Sequence, residues 1–161
     1  MKRVWALCMI GIILLVGCQK NEPTATDLLA KLLSSPETPG MIIYFEGAMS
    51  DDEGYLSEEA EQKLYDGRSP CSLSDEYAIA LCSDDRVYEL HIFHSLDMEK
   101  TEQIENALRR RQTLLQKQEN YLYDPQNPGA GAVIWRKGKW VCLLVTADND
   151  TAKDILKRTL K

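Results

Sequence analysis

The chain is 161 residues long, 44% hydrophobic and 27% charged, with a net charge of −6. That length supports one domain with its own core, and the acidic balance disfavours nucleic acid as a partner and gains nothing from anionic lipid headgroups. No catalytic, metal or nucleotide motif rises above background, so no cofactor is expected.

At the start, Lys2 and Arg3 precede a 13-residue apolar run from Val4 to Val16, which is followed by Gly17 and Cys18. The run is too short for a bilayer span of ~20 residues. A basic start, a short apolar run and a small residue before a cysteine have the form of a lipoprotein signal. Cleavage before Cys18 and a diacylglyceryl thioether on its thiol are therefore expected. Residues 1–17 would be the signal, 18–26 a lipidated tether and 27–161 a single domain. Without Lys2 and Arg3, 17 basic residues face 25 acidic ones, a net of −8. The expected location is the extracytoplasmic face of the cell membrane, held by acyl chains on Cys18. The eight polar residues Gln19–Thr26 reach at most ~28 Å, which suits a membrane-proximal protein partner.

Thr26-Asp27 before Leu28, Leu29, Leu32 and Leu33 reads as a capped helix ended by Ser34-Ser35-Pro36. Met41–Phe45 is a short strand by length and composition. Ser50–Gly54 is an acidic loop. Ser57 caps a helix from Glu58 to Tyr65, which stops at Asp66-Gly67. Tyr77, Ile79 and Leu81 alternate with Ala78, Ala80 and Cys82, and Val87–Phe93 alternates as well. A two-residue turn at Asp84-Asp85 would pair Leu81 with Tyr88, Ile79 with Leu90 and Tyr77 with Ile92, setting large apolar residues on one face. Asp97 caps a long helix to about Tyr121, whose apolar stripe is broken at Arg111. A second hairpin turns at Lys137-Gly138 and sets Trp135 opposite Trp140. Asp148-Asn149-Asp150 caps a last helix running to Lys161.

This order predicts an α+β fold. Its antiparallel sheet would consist of two hairpins, with Met41–Phe45 as a further short strand. The long helix and the C-terminal helix are expected on one face. The other sheet face, bearing Trp135, Trp140 and Val133, would be either a binding surface or covered by the N-terminal helix and strand.

From about Thr24 onward the chain resembles a family of small Firmicutes lipoproteins catalogued as domain of unknown function 4358. The resemblance rests on Leu64–Gly67, Ser72–Ile79, the long helix with Arg109–Arg111 ending in Tyr121-Leu122, and Arg136–Val145 before an acidic cap. It implies an extracytoplasmic lipoprotein with an α+β domain. The family has no established activity and lends no catalytic residue.

Several side chains are candidates for chemistry. His91 and His94, three apart on a strand, point to opposite faces and cannot share a metal; surface or edge positions are expected for both. Asp75 and Glu76 are candidate partner contacts, or carboxylates serving backbone donors at a strand entry. Asp148, Asn149, Asp150 and Asp154 resemble a calcium loop only faintly, and capping explains them. Cys71, Cys82 and Cys142 remain after processing; buried thiols are expected, with a Cys82–Cys142 pair as the alternative. Cys82 with His91 is the least implausible nucleophile and base. The hairpin tip carrying Trp135, Arg136, Lys137, Lys139 and Trp140 is either a docking site or a cross-strand tryptophan pair that stabilises the hairpin. The function best matched is a non-enzymatic, lipid-anchored interaction module at the cell envelope, with a small ligand-binding lipoprotein or hydrolase as the alternative.

Overall fold

A computed structural model describes residues 22–34, 38–82, 88–117 and 131–161. The signal, Cys18, the Asp84-Asp85 turn and the expected end of the long helix lie outside these residues. The described elements are α1 (Ala25–Leu33), β1 (Met41–Phe45), α2 (Glu58–Tyr65), a 3-10 turn (Cys71–Leu73), β2 (Glu76–Cys82), β3 (Glu89–His94), α3 (Met98–Lys117), β4 (Val133–Lys137), β5 (Trp140–Val145) and α4 (Asn149–Thr159). The fold is α+β, as the sequence predicts. Capping chemistry accounts for most helix starts. Ser57 Oγ accepts from the Ala60 N–H at 3.3 Å. Asp97 Oδ1 accepts from Glu99 at 2.8 Å, and Asp148 Oδ1 from Thr151 at 2.9 Å. Helix α1 begins earlier than Asp27: Thr24 is its N-cap, and Asp27 closes a reciprocal capping box with it.

Five antiparallel strands form one sheet in the order β1-β2-β3-β5-β4. The β2–β3 register differs by one residue from the expected one. Ile79 faces His91, Ala80 faces Leu90 and Ala78 faces Ile92. A one-residue slip exchanges the two faces of a strand, so Leu90 and Ile92 lie over the small Ala78 and Ala80. Glu89, His91 and Phe93 join Tyr77, Ile79 and Leu81. The reason is that both sheet faces are covered. Pairing large side chains only with large ones suits a sheet with one wet face, whereas this sheet must fill two cores. The alanines leave room for α1 to come close.

The β4–β5 register slips by two residues: Trp135 faces Cys142, and Lys137 faces Trp140 across a turn at Gly138-Lys139. An even slip keeps the faces, so Trp135, Trp140, Cys142 and Leu144 still share one side. The turn starts at Gly138 with φ +59°, a left-handed conformation that glycine adopts without strain. Trp135 and Trp140 are not a cross-strand pair.

The helices are divided between the two faces, which corrects the expectation that α3 and α4 lie on one face of the sheet. Ile104, Leu108 and Leu115 of α3 and Tyr65 of α2 pack with Tyr77, Ile79, Phe93, Val141 and Leu143. On the opposite face, Leu28, Leu29 and Leu32 of α1 and Ala152 and Leu156 of α4 pack with Ala78, Leu90, Ile92, Cys142 and Leu144. The N-terminal helix covers the tryptophan face, with α4 beside it; the N-terminal strand, expected to cover it too, is instead the edge strand of the sheet, paired with β2.

Candidate functional site

The central strand carries a buried polar chain through the α2–α3 core. The Tyr65 hydroxyl lies 2.7 Å from His91 Nδ1, and His91 Nε2 lies 2.9 Å from Glu89 Oε2. Arg111 donates through Nε to the same oxygen at 3.0 Å, and through a terminal nitrogen to Glu89 Oε1. Tyr65 and His91 are fully buried. Burial pushes the imidazole below its ordinary range, against the pull of Glu89. Burial also acts to raise Glu89, but hydrogen bonds from His91 and Arg111 and the Arg111 charge outweigh it and hold this carboxyl well below the usual range. An ionised carboxylate only accepts, so a neutral His91 carries its proton on Nε2 and accepts from Tyr65 at Nδ1. Donation then runs one way, from Tyr65 through His91 to Glu89, with Arg111 supplying the balancing charge. Burial raises the Tyr65 phenol well above its ordinary value, so it stays protonated.

This chain corrects the expectation of surface or edge histidines. His91 is in the central strand and fully buried, and His94 is 8% exposed. The two do point to opposite faces: His94 stacks on Trp140 with ring centroids 4.4 Å apart. Cys82 shares the face of Ala78 and Ala80, so the sheet separates it from His91, and the Cys82–His91 arrangement does not form. No disulfide joins Cys71, Cys82 and Cys142. Among the described residues, no three His, Cys, Asp or Glu side chains gather as a metal ion needs. The clue to the buried chain was Arg111 in the apolar stripe of α3, a position where an arginine needs a partner.

The other predicted site residues fall into two sets. Asp75 Oδ2 accepts from the Leu96 N–H at 2.6 Å, and Glu76 Oε2 from the Ala25 N–H at 3.0 Å, so both serve backbone donors at a strand entry. The hairpin tip is divided across the sheet. Arg136 turns to the α3 side and pairs with Glu105 at 2.9 Å, while the Lys137 ammonium donates to the Leu160 carbonyl on the α4 side. The three consecutive arginines also diverge: Arg109 pairs with Glu105 at 2.5 Å, Arg110 donates to the Arg68 carbonyl at 3.3 Å and Arg111 enters the core.

One open groove lies on the α1–α4 side of this tip, with a volume of roughly 660 Å³. The His94–Trp140 stack lines it together with Lys137, Lys139, Arg158 and Lys161, and the chain enters α1 past its edge at Glu22 and Pro23. It thus gathers three of the predicted tip residues, Lys137, Lys139 and Trp140, but neither Trp135 nor Arg136. Sequence reasoning missed Arg158 and Lys161, which come to the tip only through the placement of α4. No helix among the described residues is long and apolar enough to cross a membrane. No protein-family model, curated protein or solved structure matches the chain.

Proposed function

We propose that this chain is a lipid-anchored extracytoplasmic domain, tethered through Cys18, that acts as a non-enzymatic interaction module at the cell envelope, as the basic start, the short apolar run and Gly17-Cys18 of its N-terminal segment imply. The observation that supports the non-enzymatic part is the burial of Tyr65, His91 and Glu89, with the Arg111 side chain only 12% exposed beside them. The acid–base groups with the best mutual geometry are occupied with one another in the core. The open groove, by contrast, offers cations and a stacked aromatic pair, which bind rather than transform. The hydrolase alternative loses its best version once Cys82 and His91 lie on opposite faces.

The test is in-cell crosslinking of the tagged chain followed by mass spectrometry, with Cys18→Ala as control. Recovery of one recurrent membrane-protein partner that disappears in the control supports the reading. Equal recovery from both chains, or no partner above background, counts against it.

A further inference from the structure

We infer that the groove beside the Gly138-Lys139 turn holds the phosphate of an anionic phospholipid headgroup from the membrane that carries the anchor. This rests on the lipid-anchor reading. Charge is the first argument: the groove is lined by four basic side chains and one acidic one, in a chain whose net charge after processing is −8, from 17 basic residues against 25 acidic ones. Lys137 is committed to the Leu160 carbonyl, which offsets part of the negative end of α4. Lys139, Arg158 and Lys161 have no ion pair among the described residues. The nearby carboxylates Asp75 and Glu76 lie outside the lining and are held on the Leu96 and Ala25 N–H groups.

Reach is the second argument. Glu22 is four residues after Cys18, so the chain between them spans at most ~14 Å. An acylated Cys18 would therefore hold this end of the domain, and not its far end, within reach of the headgroup layer. Basic residues near an anionic leaflet gain roughly 1 kcal/mol each, and a tryptophan-bearing floor suits the interface. The occupant is then a monoanionic phosphodiester, contacted by Lys139, Arg158 and Lys161 above the His94–Trp140 stack.

The test uses the full lipoprotein with vesicles of phosphatidylcholine alone or of an equal mixture with phosphatidylglycerol. Flotation and the mass of the Cys18 peptide report the anchor. Acetylation rates read by mass spectrometry report the groove, with Lys63 on α2 as internal reference. The expected result is a slowing of Lys139 and Lys161 by roughly fivefold on the mixed vesicles only, the factor equivalent to ~1 kcal/mol. Arg158→Gln, at an exposed position without an ion pair, should reduce that slowing. Equal rates on both vesicles, with flotation intact, overturn the headgroup inference and leave the anchor standing. Slowing and flotation on the mixed vesicles, with no flotation on phosphatidylcholine alone, overturn the anchor and leave the groove. Slowing by glycerol phosphate on phosphatidylcholine vesicles, without an effect of phosphatidylglycerol, overturns the membrane as the source.

Discussion

Arg111 on α3 reaches Glu89 on the central strand with both ends of its guanidinium, and the two residues anchor a polar chain that continues to His91 and Tyr65. A buried pair of this kind is costly to break from one side, because the remaining charge keeps its desolvation and loses its partner. Arg111→Met should destabilise the domain by about 3–5 kcal/mol. Glu89→Gln added to Arg111→Met should recover roughly half of that, since no buried charge is then left over. Urea unfolding of these two variants and of Glu89→Gln alone checks this. Additive losses would show that the pair is not coupled.

The same chain gives stability a dependence on pH. The unfolded imidazole takes up a proton near its ordinary value of 6.5, and the folded His91 only at lower pH. Between those values the unfolded state binds more protons, so stability is full above ~6.5 and falls as acid is added below it. Glu89 acts in the same direction further down: its folded pKa lies below the ordinary 4.5, and its contribution is lost as pH falls below that value. Melting temperature should therefore decline in two stages on acidification. His91→Gln should lack the first stage while keeping the second. Parallel curves for the two proteins would rule out His91 as the source.

The sequence reveals most where a local rule acts alone. Ser57 and Asp66-Gly67 bound α2 as capping chemistry requires, with Asp66 at φ 49°, and Asp148 caps α4 in the same way. Registers were less legible because they depend on what covers each face. Alternation in β2 and β3 is equally compatible with pairings one residue apart. Only the presence of α1 on the second face selects Leu90 and Ile92 over Ala80 and Ala78. That slip decides the site as well, since it sends Glu89 and His91 into the α3 core and parts His91 from Cys82. The groove was half legible: Lys137, Lys139 and Trp140 belong to one hairpin, whereas Arg158 joins them only through tertiary packing.

Gly54 tests the packing at the sheet edge. Its carbonyl accepts from the Phe45 N–H at 3.2 Å, and a Cβ added there would lie 2.3 Å from Phe45 Cε1. Phe45 is 37% exposed, so its ring can swing toward solvent. Gly54→Ala should cost about 1–2 kcal/mol, an overpacking penalty. In a Phe45→Ala background the same change should be nearly neutral, and a double-mutant cycle reads the difference. A full cost in both backgrounds would place the strain in the backbone.

Thiol reactivity separates the structural cysteines from a catalytic one. Burial pushes the Cys71 thiol up to about 12 and raises the fully buried Cys142 as well. Neither supplies thiolate in the folded state; reagent reaches the fully buried Cys142 only on opening, whereas Cys71 lines an open surface pocket. Cys82 is half-buried near the end of β2, with His91 on the far side of the sheet. Iodoacetamide at mildly alkaline pH should therefore modify Cys82 first, no faster than a small free thiol. Cys71 should follow slowly because its thiol stays protonated, and Cys142 at the rate of unfolding. A Cys82 that outpaced the reference thiol would return the hydrolase reading to consideration, with a base other than His91.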